Sequence, residues 1–89
     1  MPESFPLGQL VSTPGAINTL HPEDVVGALA RHAFHDWGDL CPEDKALNDV
    51  AIQEGTRLLS AYTDRNGTKF WIITEADRSV TTVLLPDEY

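Results

Sequence analysis

RLLSAYTDRNGTKFWIITEADRSVTTVLL, residues 57–85, decides the fold. Apolar residues recur through it with the period of two that marks a strand, and Asn66-Gly67 separates the runs 57–64 and 68–74. A type I′ turn needs positive φ at both central residues, which Asn and Gly tolerate best, so the pair predicts a hairpin with a two-residue loop. That loop sets Arg65 against Thr68, Asp64 against Lys69, Tyr62 against Trp71 and Ala61 against Ile72, joining an opposite-charge pair and an aromatic pair across the strands. A second turn over 76–79 leads into 80–85, and a four-residue loop there places Trp71 opposite Leu84 and Ile72 opposite Val83. The product is a three-stranded antiparallel meander. One face carries Leu59, Ala61, Phe70, Ile72, Val83 and Leu85, the other Leu58, Tyr62, Trp71, Ile73, Val80 and Leu84. Both faces are apolar, so the chain needs two covers.

Upstream, the period becomes helical and proline opens each segment. Thr13-Pro14 supplies an N-cap and a first helical residue for a short helix reaching Leu20. His21-Pro22-Glu23-Asp24 starts a second that runs to Phe34, with acids where the helix dipole is positive. Val25, Val26, Leu29, Ala30 and Ala33 share one side of it. Cys41-Pro42-Glu43-Asp44 opens a third helix and Gly55 stops it; there Ala46, Leu47, Val50, Ala51 and Glu54 share a face. Residues 7–13 read as a short strand or an extended arm, and 1–6, broken by Pro2 and Pro6, as flexible. The expected fold is α+β in a single small domain over 1–89: an N-terminal arm and two main helices packed on the C-terminal three-stranded antiparallel sheet. The second sheet face is then roofed by the arm, whose Leu7, Leu10 and Val11 have no other place, or buried in a twofold dimer.

Composition narrows the function. Fourteen Asp and Glu against six Lys and Arg give a net charge of -8 in 89 residues, while 42% of the chain is apolar, so the charge sits on a folded body. A charge of that sign repels nucleic acid and anionic membrane and attracts basic protein surfaces; its simplest service is solubility. Cys41 is the sole cysteine, which excludes an intramolecular disulfide and points to a reducing compartment. The acidic, proline-punctuated start lacks the apolar run of a signal peptide, and no stretch has the length of a transmembrane helix, so the expected location is the cytoplasm.

No catalytic constellation emerges. His32, His35, Asp36 and Cys41 are metal-ligand types without the paired close spacing of a zinc site; histidines at a helix C-terminus, facing the negative end of the dipole, account for them. Glu75, Asp77 and Arg78 fall on the second turn, where an Asp–Arg pair closing the loop explains them. Ser60 and Ser79 have no nucleophile-elbow context and no Gly-rich phosphate loop is present. The expectation is a protein that is not an enzyme and holds no cofactor or metal. Trp37, Tyr62 and Trp71 are core or contact residues, with Tyr62 and Trp71 the candidate hydrophobic contacts. Glu23 and Asp24 on the second helix, Asp36 and Asp39 in the following turn, and Glu43, Asp44, Asp49 and Glu54 on the third helix form an acidic side diluted by Arg31 and Lys45 alone. That side is the candidate partner-binding surface.

The segments HDWG (35–38), RLLSAY (57–62) and WIITEADRS (71–79), continuing to LPDEY (85–89), resemble a family of small acidic accessory proteins carried by bacterial plasmids, integrative elements and phages. The resemblance covers residues 5–89. It implies a context rich in inhibitors of host defence, among them anti-CRISPR proteins that occupy the nucleic-acid-binding surfaces of their targets. Together with the charge, it gives the functional expectation: an interaction protein of a mobile element in the bacterial cytoplasm, an anti-CRISPR inhibitor that binds a basic surface of a Cas effector subunit as a DNA mimic. The alternative is a homodimeric accessory module whose acidity serves solubility.

Overall fold

Proline stands at the start of every helix in the computed structural model, which describes residues 4–89. Thr13 caps α1 (Pro14–Thr19) with its hydroxyl, accepting from the Ala16 amide. His21 caps α2 (Pro22–Ala33) through its ring. α3 (Pro42–Glu54) ends at Gly55, in the left-handed region at φ 72°. Glycine at that position escapes the backbone strain that a side chain incurs at positive φ.

The sheet has four strands and mixed pairing rather than three antiparallel ones. β1 (Gln9–Ser12) lies parallel to β4 (Val80–Leu84), and the order is β1-β4-β3-β2, with β2 Leu58–Thr63 and β3 Lys69–Thr74. The predicted roofing arm is therefore an edge strand. Gly8, at φ 67°, brings it in: a Cβ there would overlap the Ser79 carbonyl, and the next amide, Gln9, donates to that oxygen at 2.8 Å.

Between β3 and β4 the register is the predicted one, Trp71 opposite Leu84 and Ile72 opposite Val83. Between β2 and β3 it is displaced by one residue: Tyr62 pairs with Phe70, Ala61 with Trp71 and Ser60 with Ile72. Asp64 causes the slip. Its carboxylate accepts the amides of Asn66 at 3.0 Å and Thr68 at 2.9 Å, while its own amide donates to Thr68 O. The loop thus becomes Arg65-Asn66-Gly67, with Gly67 at φ 83° and Asn66 outside the positive-φ region. This is the three-residue loop in which a type I turn precedes a left-handed glycine.

A one-residue slip turns every side chain of a strand to the other face. Leu58, Ser60, Tyr62, Phe70, Ile72, Thr74, Thr81 and Val83 form the face beneath the helices, and all are buried. Ala16 and Leu20 near α1, and Ala28, Val25 and Leu29 of α2, pack on it. The opposite face has its own cover at the C-terminus. Tyr89 stands edge-on to Trp71 at 5.6 Å with the Arg57 guanidinium over its ring, and the turn Pro86–Glu88 packs alongside, leaving Ile73 and Leu84 buried. Glu88 fastens this cover to α1, accepting from the Thr13 hydroxyl at 2.5 Å and the Gly15 amide at 3.1 Å.

Two further expectations change. Phe5, in the stretch read as flexible, is buried with Trp37, Ala51 and Leu58, and its amide donates to Ala33 O; residues 1–3 lie outside the described residues. On α3, of the expected face only Ala51 is buried: Asn48 and Ala51 point inward, and Leu47 and Val50 point out. Among the described residues no helix is long and apolar enough to cross a membrane.

Candidate functional site

Folding contacts divide the eight candidate acids into two groups. Asp24 accepts three bonds from Arg65, at the amide (2.8 Å), Nε (3.1 Å) and Nη2 (3.0 Å). The Arg65 side chain holds its carboxyl down at about 2. Asp36 takes a bidentate pair from Arg31, at 2.8 and 3.3 Å, and this pair lowers its pKa. Asp39 accepts from the Thr63 hydroxyl and Asp49 from the Trp37 indole N–H, each at 3.0 Å. These four acids join α2, the α2–α3 connection and α3 to the hairpin and to one another.

Glu23, Glu43, Asp44 and Glu54 are different. Glu23 reaches only to 3.7 Å of Arg65, with its side chain 81% exposed. Glu43, Asp44 and Glu54 are exposed and take part in no ion pair among the described residues. All three lie on α3: Glu43 and Glu54 make one outer surface with the exposed Leu47 and Val50, while Asp44, exposed in the first turn, stands in the row of Asn48 and Ala51. Glu43, Leu47, Val50 and Glu54 follow at spacings of four, three and four, a single helical stripe. Apolar side chains flanked by free carboxylates suit a surface that meets both aliphatic stems and cationic heads.

Of the two candidate aromatic contacts, Tyr62 belongs to the core. It is 3% exposed, and its hydroxyl donates to Asp36 O at 2.6 Å beneath the Arg31 guanidinium. Burial pushes its phenol up to about 12. Trp71 is half-buried against Tyr89. A cleft of about 330 Å³ opens between α2 and the β2–β3 hairpin, lined by Arg31, Arg65 and Asp24 among others. Its two guanidiniums are already committed to Asp36 and Asp24.

The remaining sequence candidates do not converge. His35 stacks on Trp37 at 5.5 Å, Asp36 is held by Arg31, Cys41 is exposed at the head of α3 and His32 is buried. Among the described residues no three His, Cys, Asp or Glu are grouped to hold a metal. The expected Asp77–Arg78 pair is replaced by two separate contacts. Asp77 accepts from the amide and hydroxyl of Ser79, while Arg78, at φ 61°, donates to the carbonyls of Thr56 (2.7 Å), Glu75 (3.1 Å) and Ala51 (3.3 Å). The turn is thereby tied to the end of α3.

His32 anchors a buried relay that a scan for catalytic motifs passes over. Nδ1 meets the Ser60 hydroxyl and Nε2 lies 2.9 Å from Thr74 Oγ1, which is 2.7 Å from Thr81 Oγ1; Thr81 in turn donates to Leu7 O at 2.7 Å. The carbonyl end orients the chain. Thr81 spends its proton on Leu7, so Thr74 donates to Thr81, His32 Nε2–H donates to Thr74, and Ser60 donates to an unprotonated Nδ1. A neutral imidazole satisfies every member. With His32, Ser60, Thr74 and Thr81 all at 0% exposure, no substrate reaches this serine–histidine pair. Its position at three- and four-residue steps from Val25, Ala28 and Leu29 on the inner side of α2 was the legible signal.

Burial, with Arg78 contributing, holds the His32 pKa down at about 4, below the usual 6.5. The unfolded chain therefore takes up this proton before the folded one. The contribution is complete above pH 6.5 and is lost as pH falls from there through 4, about 3 kcal/mol over the whole window. The melting temperature is expected to fall between pH 6.5 and 4.5, above the range in which the paired carboxylates titrate, and H32Q is expected to flatten that segment. An unchanged profile in H32Q would show that another group sets it.

No family model, curated protein or solved structure matches the chain. Its chemistry is read from the surface that these contacts leave free.

Proposed function

We propose that this chain is a non-catalytic interaction protein of a mobile genetic element that docks on a basic protein surface through the outer face of α3. One observation carries the reading: Glu43, Asp44 and Glu54 are exposed and enter no ion pair among the described residues, and Glu43 and Glu54 flank exposed Leu47 and Val50, whereas Asp24, Asp36, Asp39 and Asp49 are spent inside the fold. Lys/Arg grooves shaped for phosphates attract such a helix quickly and in a salt-sensitive way. The resemblance to accessory proteins of plasmids and phages makes the nucleic-acid groove of a Cas effector subunit the favoured target, reached in the bacterial cytoplasm and without a cofactor. The protein then acts as a DNA mimic and an anti-CRISPR inhibitor.

The test is the triple substitution E43K/D44K/E54K, which moves the net charge from -8 to -2. DNA cleavage by purified Cas effectors, titrated with each protein, is expected to need at least ~100-fold more of the variant for inhibition, while the melting temperature moves by no more than about 2 °C because exposed charges contribute little to folding. Inhibition that survives the reversal at equal potency refutes the α3 surface, and a wild-type chain that leaves every effector active refutes the inhibitor role.

A further inference from the structure

Charge is distributed unevenly along this chain. Residues 4–22 contain no Asp, Glu, Lys or Arg, and every charged residue except Glu3 lies at or beyond Glu23. From Gln9 on, these uncharged residues build β1, α1 and the start of α2, while Phe5 packs away from them with Trp37, Ala51 and Leu58. The edge strand itself thus carries no charge; the nearest carboxylates, Glu88 on Thr13 and Gly15 and Asp77 on Ser79, stand at its two ends and are held by hydrogen bonds.

That edge is open. Gln9 and Thr13 turn their amides to Ser79 and Val83 of the β4 side, at 2.8 and 3.0 Å. Alternation then directs the N–H and C=O of Leu10 and Ser12 outward, and among the described residues no backbone partner outside the strand pair meets them. Leu10 (53% exposed), Ile17 (66%) and Val26 (68%) stand nearby, and Ala16, Ile17, Leu20, Val25 and Val26 line an apolar groove of about 300 Å³ beside Ser12. An unpaired strand flanked by apolar surface is a template for another strand.

We infer that the β1 edge is the interface of a twofold homodimer, in which β1 pairs antiparallel with β1 of a second copy. Charge selects this occupant. Two chains of net charge -8 repel wherever their acidic faces meet, and the uncharged strand β1, with the apolar residues of α1 and α2 beside it, is where a second copy approaches with least repulsion. Symmetry selects the register: with the axis at Val11, Leu10 and Ser12 each exchange both backbone bonds with Ser12 and Leu10 of the other copy, so every outward group is used. Val11 faces its own counterpart as a non-hydrogen-bonded pair, with Cα atoms about 4.5 Å apart. Because β1 and β2 are opposite edges of the sheet, the α3 surfaces remain at the two far ends. The dimer stands or falls independently of what α3 binds.

Sedimentation equilibrium in reductant, at tens of micromolar and physiological salt, tests the inference on the full chain. The expected mass is twice 9.8 kDa. L10P removes an outward N–H and leaves the β4 ladder intact, and V26K places a charge beside the groove; each is expected to sediment as a folded monomer, with folding checked by circular dichroism. V11C in a C41S background is expected to form a disulfide dimer on mild oxidation, since this separation lies within disulfide reach. A monomeric wild-type chain overturns the inference, as does a dimer that persists in folded V26K and leaves V11C unlinked.

Discussion

Replacing His32 by alanine is expected to leave much of the chain unfolded at 37 °C. The ring is fully buried and bridges α2 to β2 and β3, so its loss opens a cavity, leaves the buried Ser60 hydroxyl without its partner and takes one of two partners from Thr74. Truncating a large buried ring costs about 3–5 kcal/mol, and the orphaned Ser60 hydroxyl adds about 1–3. An 89-residue domain holds roughly 5–13 kcal/mol in total, so the sum removes a large part of its stability. H32F separates the two causes because it restores volume without polarity. If the relay matters, H32F remains several kcal/mol below wild type in urea unfolding, while H32Q, which offers one donor and one acceptor, recovers part of the difference. H32F as stable as wild type would reduce the relay to packing.

Local chemistry made much of this fold readable. Proline at the first helical position placed all three helix starts, Gly55 placed the end of α3, and the turn at 76–79 gave the β3–β4 register. The errors arise where a side chain or a distant strand competes with the local signal. Asn66-Gly67 announced a two-residue loop, yet the Asp64 carboxylate captured two amides and added a third residue, which exchanged the two faces of β2. The pairing of β1 with β4 joins residues about 70 apart through their backbones, and 7–13 carries no mark of that partner. α3 misled because Leu47 and Val50 face outward while Asn48 faces in, a reversal of the usual rule. Among the acids, charge was visible but commitment was not: Asp24 and Glu54 look alike until Arg65 is seen to hold one of them.

That inward Asn48 gives the second large effect. β2 is the sheet's other edge, and an open edge there would offer a second site for strand addition. Asn48 closes it by acting as a short length of neighbouring strand: Nδ2 donates to Leu59 O at 2.6 Å and Oδ1 accepts from Leu59 N at 3.2 Å. One step along, Ala61 N donates to Trp37 O and Ala61 O accepts from Asp39 N, so consecutive outward positions are occupied by the chain itself. Gly38 makes this approach feasible, since a Cβ there would overlap the Ala61 carbonyl. N48D keeps the shape but sets a carboxylate oxygen against the Leu59 carbonyl, losing a donor and gaining repulsion. Roughly 3 kcal/mol of stability is expected to go, or roughly 15 °C in melting temperature. N48L, which leaves both Leu59 groups unmet, should lose a similar amount. The protein as folded closes one sheet edge and leaves the other open, so assembly through the β1 edge, as inferred above, would end at two copies. N48L opens β2 at Leu59 while Ala61 keeps its bonds to Trp37 and Asp39, and it is expected to grow beyond the dimer with concentration in light scattering, whereas N48L/L10P is not. Growth that is indifferent to L10P would place the added contacts elsewhere than on the two edges.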